Sequence, residues 1–393
     1  MGRDLKAPGG TLSRTDDHMT PDVVALPSKL IWLARKILAA RSEYGASSLS
    51  VARRFLTLYR HEFSPDEIFG YGLVDPVIPR DSLPRHVPKE RVCREIEPLN
   101  LCDGLERIND KLVFDQICRS EGLAVPRLIG AYPDYLAKGL DGDERISPQS
   151  RDAWVAALRA HLPDAFIAKP RCGMKGYAVR LFKRSRQGFR ADNGEEVSAD
   201  QLLSYFESIL ALVDLHERFP TGVQGVLIQE VVKGHPVLAE LSATEAAQTV
   251  RICTFVTPDG QVVPLFAFLK IVAAGNVVDN FSGGLLGNMI GHIDRESGAL
   301  AYVFGCRPGT GLGYRLERHP QSGRPFAGVR LPYWQDTLDL ACRAARVFLP
   351  SRALGWDVAI TADGPVLLEG NHNWDPVVPF YTLPETEALH SRP

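Results

Sequence analysis

From residue 356 to residue 371 the chain reads Trp-Asp-Val-Ala-Ile-Thr-Ala-Asp-Gly-Pro-Val-Leu-Leu-Glu-Gly-Asn. Asp-Gly between two apolar runs is a strong turn signal, so this stretch predicts a β-hairpin. Alternation sends Leu367, Glu369 and Asn371 to one face, and Asp357 can face the same side. Two carboxylates and an amide oxygen are hard ligands of the kind that Mg²⁺ prefers. The alternative is a solvated hairpin face that binds no ion.

The composition indicates an ordinary globular protein of two or three domains. The chain has 393 residues, 45% of them hydrophobic, and 45 Lys and Arg against 47 Asp and Glu. This near-zero net charge argues against a dedicated nucleic-acid binder. Seven scattered cysteines without C-x-x-C spacing indicate reduced thiols and no structural zinc. The longest apolar run, residues 262–274, is broken by Lys270, so no transmembrane segment is expected and we predict a cytoplasmic protein.

The first hundred residues predict a flexible leader over residues 1–24 and a helical region over 25–100. Helices are expected from Ser28 and Ser48, and Ser64-Pro65-Asp66-Glu67 is a capping box that starts a third. A Pro-rich connector, residues 76–98, ends this region. Core packing is expected for the apolar stripes; a membrane-surface role is the alternative, but neither helix shows a strongly basic polar face. The stripes are Leu30, Leu33, Ala34, Ile37 and Leu38 in the first helix, and Ala52, Phe55, Leu56 and Tyr59 in the second.

The remainder alternates helices and strands, with strands that follow one another in pairs. That order favours an α+β arrangement of antiparallel sheets. Helices are predicted over 107–121, 150–162, 199–215 and 334–349, and strands over 165–169, 178–182, 226–231, 249–255 and 262–270, besides the hairpin.

Lys169 ends a predicted strand and precedes the Gly-containing turn of residues 171–176. Such a lysine and the backbone N–H groups of the turn could cradle phosphate oxygens; a plain hairpin with an exposed lysine is the alternative. The G-x-x-x-x-G-K-[ST] pattern is missing, which excludes a P-loop. The apolar strand at 226–231 ends in a polar break at 232–234, an edge that could hold an adenine.

Two further cations lie on adjacent predicted strands. Arg251 and Lys270 face the same side by parity and could bind a substrate anion or an acyl phosphate; strand-surface charges are the alternative. Asn280, before Ser282-Gly283-Gly284, could line the same pocket, although an ordinary loop is equally compatible. The glycines of residues 309–313 follow a proline and precede no apolar helix, so they predict a loop and no dinucleotide site.

These motifs, in this order over residues 109–376, resemble the ATP-grasp superfamily. The resemblance implies two α+β lobes around a nucleotide cleft. It implies ATP and Mg²⁺ as cofactors, with Glu230 as the partner of the adenine amino group. The implied nucleotide ligands are Lys111, Lys169, Gly173, Lys175, Gly176, Gln229, Glu230 and Val232, and the implied metal ligands are Asp357, Glu369 and Asn371.

Further segments resemble the sugar-transfer associated branch, also described as alpha-L-glutamate ligase-related. They are residues 235–238, 249–252, 278–284 and 293–298. In this chain the position of the ribose-binding acid falls near His235 or Pro236, and of these two the resemblance gives the role to His235. It also implies chemistry linked to polysaccharide or exopolymer synthesis.

We therefore predict an ATP-grasp domain over residues 101–385, with a hinge near 226–234. The expected reaction joins a small carboxylate to an amine through an acyl phosphate and releases ADP and phosphate. Arg251, Lys270 and Asn280 are the predicted catalytic residues. A kinase of a sugar or polyol hydroxyl, with Asp279 or Asp294 as base, and a non-catalytic ATP-binding scaffold are the alternatives.

Overall fold

The computed structural model describes residues 26–100, 104–138, 144–173, 176–211, 224–273, 275–276, 279, 281–284 and 286–376. The predicted leader, Lys175, Asn280 and the end of the predicted helix at 199–215 lie outside these residues. The chain forms two compact units. Of the described residues, unit 1 contains those within 106–233 and 366–369, and unit 2 contains those within 26–105, 234–365 and 370–376. The division after Lys233 lies within the segment 226–234.

The N-terminal part of unit 2 is helical, as the sequence predicts. The capping box at Ser64 is formed, because its hydroxyl accepts from the Glu67 N–H and the Glu67 carboxylate accepts from the Ser64 N–H at 2.8 Å. The helices of the described chain are α1 (Leu26–Tyr44), α2 (Ser48–Arg60), α3 (Pro65–Gly70), α4 (Lys89–Asn100), α5 (Glu106–Asn109), α6 (Lys111–Ser120), α7 (Arg151–His161), α8 (Ala199–Leu210), α9 (Pro236–Ser242) and α10 (Trp334–Val347), with 3-10 turns at Leu83–Arg85 and Ser282–Gly284.

Unit 1 is built on an eight-stranded sheet with the order β3-β2-β1-β8-β4-β5-β6-β7. Its apolar core includes side chains of α7 and α8 together with Phe166 and Phe182 of the sheet. The strands are β1 (Leu128–Tyr132), β2 (Tyr135–Ala137), β3 (Arg145–Ile146), β4 (Ala165–Pro170), β5 (Arg180–Ser185), β6 (Gly188–Ala191), β7 (Glu196–Val197) and β8 (Val226–Glu230).

The second sheet has seven strands in the order β13-β12-β11-β10-β9-β14-β15. Its inner strand β9 is buried along its whole length and pairs antiparallel with β10 and β14. The hairpin predicted from Asp-Gly is formed by the last two strands. The strands are β9 (Thr249–Val256), β10 (Val262–Ile271), β11 (Met289–Ile293), β12 (Leu300–Cys306), β13 (Gly313–Leu316), β14 (Ala353–Thr361) and β15 (Gly364–Asn371).

Two antiparallel sheets and a set of N-terminal helices are the α+β architecture that the sequence predicts, with several local corrections. The Pro-rich connector contains helix α4, because Pro98 falls in its last turn, where it interrupts little of the helix. The helix predicted over 107–121 is two helices, since Asp110 caps α6. The strand predicted from Ala178 starts at Arg180 because Ala178 has a φ of 54°. Strands β1–β3, β6, β7 and β11–β13 have weak sequence patterns and were missed.

The apolar stripes of the first two helices pack differently from the prediction. Leu33 and Ile37 contact the helical core, and Phe55 is buried in it. Leu30, Leu38 and Leu56, by contrast, are at least half exposed. The prediction that they enter the core is wrong, because only one face of each helix meets a partner. Within the described residues, no helix is long and apolar enough to cross a membrane.

Candidate functional site

In unit 1, the start of α6 is fixed to the end of β4. The Asp110 carboxylate accepts from the N–H of Leu112 at 2.9 Å, and it pairs with the guanidinium of Arg171 at 2.7–2.8 Å. The Lys111 N–H donates to the Arg171 carbonyl at 3.0 Å. A negatively charged cap favours the helix N-terminus, and the ion pair joins it to the adjoining strand. This arrangement places Lys111 and Lys169 beside each other.

These two lysines form a cation pair with few anionic partners. Lys111 Nζ donates to the Gly173 carbonyl at 2.8 Å. Burial and, to a smaller extent, the positive charge of Lys111 lower the pKa of Lys169 to about 8, although Glu369 and Asp115 act in the opposite direction. A lowered lysine pKa means that the protonated form lacks sufficient compensation. Binding an anion at this point would supply that compensation. Gly173 and Gly176, with φ of 134° and 66°, lie shortly after strand β4.

The end of β8 carries the residues that the resemblance assigns to adenine. Gln229 is buried, whereas Glu230 is exposed. The Glu230 carboxylate accepts from the Arg127 N–H at 2.6 Å, and the Glu230 N–H donates to the Arg127 carbonyl at 3.0 Å. This reciprocal pair fixes the backbone at the strand end, and the carboxylate keeps further lone pairs for a donor. Val232 lies two residues beyond, in the irregular segment after the strand.

Unit 2 holds a buried cluster of Arg251, Lys270 and Asp357. The register of strands β9 and β14 brings the cluster together, because Asp357 on β14 lies directly opposite Arg251 on β9. Arg251 Nε and Nη2 donate to the two Asp357 oxygens at 2.5 and 2.8 Å, and Lys270 Nζ donates to Oδ2 at 2.9 Å. The three residues are only 3–8% exposed. The shared face predicted for Arg251 and Lys270 is confirmed, and the alternative of strand-surface charges is wrong.

Burial alone would raise the pKa of Asp357. The charges of Arg251 and Lys270, with their hydrogen bonds, nevertheless hold that pKa well below its usual range. Asp357 is therefore ionised throughout the physiological range. Two cations and one carboxylate leave the trio with an excess positive charge, which Asp279 partly offsets at 3.6 Å from Lys270 Nζ. Asp279 also accepts from the backbone N–H and the hydroxyl of Thr249.

The three predicted metal ligands lie on two neighbouring strands, Asp357 on β14 and Glu369 and Asn371 on β15. Asp357 accepts three hydrogen bonds, and a carboxylate has about four lone-pair sites, so one remains on Oδ1. Asn371 Nδ2 donates to the Gly355 carbonyl at 3.4 Å, which leaves its amide oxygen as an acceptor. These hard oxygen donors fit Mg²⁺. Within the described residues, no group of three His, Cys, Asp or Glu side chains could hold a metal by itself.

His235, the residue expected at the ribose position, caps helix α9. Its Nδ1 accepts from the Val237 N–H at 3.2 Å, and its backbone N–H donates to the Ile360 carbonyl at 2.8 Å. The ring lies edge-on to Tyr333, with 6.0 Å between ring centroids. The cap fixes the ring and directs Nε2 away from the helix, so only Nε2 is left for a hydroxyl.

Sequence reasoning missed three supporting residues. Arg171 was treated as a variable loop position, and Asp115 and Arg127 were not considered. The signal for Arg171 was weak, because its partner Asp110 lies about sixty residues earlier. Asp115, which acts on the pKa of Lys169, lies one helical turn after Lys111 and could have been found from that spacing.

Comparison with known proteins adds a family assignment. A family model described as sugar-transfer associated ATP-grasp matches residues 93–392. No curated protein matches the chain significantly.

Several solved structures show a remote similarity. An L-amino acid ligase from Bacillus licheniformis has 11% identity and a TM-score of 0.33, over 68% of this chain and 41% of that one. Biotin carboxylase from Campylobacter jejuni has 10% identity and a TM-score of 0.37, over 69% and 41%. D-alanine-D-alanine ligase from Helicobacter pylori has 10% identity and a TM-score of 0.36, over 72% and 58%. This chain thus spans less than two thirds of each.

Proposed function

This chain belongs to the sugar-transfer associated ATP-grasp family, and we propose that it is an ATP-dependent ligase that joins a carboxylate to an amine. The observation that carries the proposal is the under-compensated Lys111–Lys169 pair in unit 1, with its lowered lysine pKa. Such a pair favours a polyanion such as the triphosphate of ATP. The neighbouring Gly173–Gly176 turn, with Lys175, supplies further donors to the phosphates.

The remaining nucleotide contacts are proposed at the end of β8 and at α9. The Glu230 carboxylate is already held by the Arg127 N–H. It can therefore accept a hydrogen bond from the adenine amino group with little loss of side-chain conformational entropy. Gln229 and Val232 supply the backbone and apolar neighbours of the base. The ribose is assigned to Nε2 of His235, because Nδ1 is used as the helix cap.

Mg²⁺ fits the oxygen donors of Asp357, Glu369 and Asn371, and when bound it would neutralise charge on the β and γ phosphates. Other residues of the chain keep these ligands in the charge state and orientation that metal binding requires. Arg251 and Lys270 keep Asp357 ionised, which maintains a carboxylate at that position over the whole physiological pH range. Asn371 is oriented by its bond to the Gly355 carbonyl.

In the proposed reaction, a substrate carboxylate oxygen attacks the γ-phosphorus of ATP, and the bond to the β–γ bridging oxygen breaks. ADP and an acyl phosphate result. An amine then attacks the acyl carbon, the C–O bond to phosphate breaks, and the amine loses a proton, giving an amide and phosphate. Arg251 and Lys270, with Asn280, are assigned to the anionic acyl phosphate. The basis for this assignment is chemical, because a guanidinium and an ammonium are donors that bind phosphate oxygens, and both are held in place by Asp357.

The kinase alternative needs a carboxylate base for a hydroxyl acceptor, and the two candidates are poorly suited. Asp294 accepts from the hydroxyl and the N–H of Ser297, and these bonds lower its pKa. Asp279 is bonded to Thr249 and pairs with Lys270. A carboxylate engaged in this way is a weak proton acceptor. This observation favours the ligase, whose carboxylate and amine substrates need no such base.

We further propose that the enzyme acts in the synthesis or modification of a polysaccharide or exopolymer, on small molecules that carry or join a sugar; the family's description as sugar-transfer associated supports this proposal. We propose cytoplasmic action, since ATP is available there. The ATP-binding scaffold is the remaining alternative, and it differs from the ligase only in turnover.

The test is a screen of carboxylates and amines with Mg-ATP, in which ADP, phosphate and products are quantified. The ligase predicts amine-dependent release of one phosphate per amide, whereas a stable phosphomonoester would indicate a kinase, and ATP binding without release a scaffold. Glu369→Gln should lower turnover by at least about a hundredfold. Asp363→Asn, in the exposed turn of the same hairpin, is the matched control and should retain turnover. Full activity of Glu369→Gln would refute the metal assignment.

A further inference from the structure

Helices α1 and α2 expose apolar side chains that nothing in the described chain covers. In α1, Leu30, Ala34 and Leu38 recur every four residues and so form one stripe, which Ile31 widens. This stripe adjoins the face that carries buried Ala40 and the core contacts of Leu33 and Ile37. Six large side chains of the two helices are 50–61% exposed, namely Leu30, Ile31, Leu38, Leu49, Leu56 and Tyr59.

Cations are interleaved with these apolar side chains. In α2, the sequence Leu49, Arg53, Leu56, Arg60 follows a single stripe at intervals of four, three and four residues. All four of these residues are exposed. In α1, Arg35 and Arg41 are exposed beside the Leu30–Leu38 stripe. The exposed surface therefore alternates leucine and arginine, and no acidic residue falls on either stripe.

The charge of this region departs from that of the whole chain. Residues 26–62 contain seven Lys and Arg and two Glu, whereas the whole chain has 45 against 47. Both glutamates are neutralised from outside the two helices, Glu43 by Arg307 and Glu62 by Arg94, each at 2.8 Å. Within the described part of the chain, no ion pair is formed by the exposed cations Lys29, Arg35, Arg41, Arg53 and Arg60.

We propose that the exposed faces of α1 and α2 are a docking surface for an anionic lipid bilayer. Leucine side chains would enter the acyl boundary while arginines reach the lipid phosphates, which is how interfacial helices bind. Tyr59, which is stacked on Phe55 at 5.6 Å between centroids, is suited to the headgroup level because its ring is apolar and its hydroxyl is polar. The surface anchors the protein peripherally.

The charge argues against a second copy of the chain as the occupant. A two-fold interface would place the same surface against itself, and so put these arginines against one another. The sequence alone disfavoured a membrane role because neither helix shows a continuous basic face. The structure changes that conclusion, because five of the seven cations of the two helices are exposed, whereas Arg54 is buried and Lys36 is half-buried.

The proposal is tested by flotation of the full chain with vesicles of phosphatidylcholine alone and vesicles of phosphatidylcholine with phosphatidylglycerol, at low and high salt. We expect binding to the anionic vesicles only, and weaker binding at high salt. Arg35→Gln, Arg41→Gln and Arg53→Gln should each weaken binding by about fivefold. The triple variant Leu30→Ser, Leu38→Ser, Leu56→Ser should weaken it by about a hundredfold at unchanged charge.

A matched control removes charge from a basic surface that lacks exposed leucines. The β5–β6 hairpin exposes Lys183 and Arg186, and Lys183→Gln with Arg186→Gln should leave vesicle binding unchanged. No binding of the wild type to anionic vesicles would overturn the proposal. Binding that survives the leucine variant, or that is lost in the hairpin control, would also overturn it. So would a dimer or a complex with an acidic protein that the leucine variant dissociates while vesicle binding persists. Unchanged thermal unfolding confirms that each variant is folded.

Discussion

Two groups of cations in this protein differ in whether nearby carboxylates balance their positive charge. In unit 2, Arg251 and Lys270 are held by direct bonds to the buried Asp357. In unit 1, Lys111 contacts a carbonyl and Lys169 has a lowered pKa, because burial and its neighbour disfavour its charge. The first group is compensated within the fold and the second is not. Removing the partner of a compensated charge destabilises the fold, whereas an uncompensated charge favours a bound anion at a cost to the empty protein.

The strongest test of this contrast is Asp357→Ala. The variant leaves two buried cations without their carboxylate, so we expect the free energy of unfolding to fall by about 3–5 kcal/mol. Urea unfolding at neutral pH measures it. The triple change of Asp357, Arg251 and Lys270 to apolar residues should recover much of the loss, because no unpaired charge then remains. A loss below about 1 kcal/mol for Asp357→Ala would mean that the trio is solvated.

For Lys169, in contrast, we expect that replacing the residue raises the free energy of unfolding at neutral pH. Its pKa is about 8 in the folded chain and 10.5 by its ordinary value. The unfolded chain therefore binds more protons between pH 8 and 10.5, and the free energy of unfolding rises with pH across that window, by up to about 3 kcal/mol. Lys169→Met should lack this rise and be more stable than the wild type at pH 7. Lys183→Met on the neighbouring strand is the control and should retain the rise. Identical pH profiles for the wild type and Lys169→Met would contradict the assignment.

A smaller loss of stability is expected when Asp110, which supports the anion site of unit 1 without being part of it, is replaced. Asp110→Ala removes the cap of α6 and the partner of Arg171, so we expect a loss of about 2 kcal/mol in urea unfolding. Asp110→Asn keeps the cap but weakens the ion pair, and should lose less. Equal losses for both variants would show that the charge, and not the cap, is what matters at this position.

The sequence could predict what local patterns control. Asp-Gly between two apolar runs specified the β14–β15 hairpin, and Ser64 with Glu67 specified the start of α3. Parity alone placed Arg251 and Lys270 on one face. The partner of these cations was beyond sequence reasoning, because the register of β9 against β14 depends on packing between segments about a hundred residues apart.

Other features depend on which side chains are exposed to solvent, and the periodicity of the sequence does not show this. The stripes of α1 and α2 were expected to be core, yet each helix has a packed face and an exposed face that both carry leucines. Pro98 suggested a connector, although a proline in the last turn is compatible with helix α4. A hydrophobic pattern shows which side chains are apolar, and only the tertiary partners decide which of them are buried.

The measurement that tests the central claim most directly is thermal unfolding with and without Mg-ATP, for the wild type, Lys169→Met and the control Lys183→Met. At about a hundred times the dissociation constant, Mg-ATP should stabilise the wild type and the control by about 2.7 kcal/mol, and Lys169→Met by much less. That result would identify the uncompensated lysine pair as the phosphate site. No stabilisation of the wild type, or equal stabilisation of all three proteins, would contradict it.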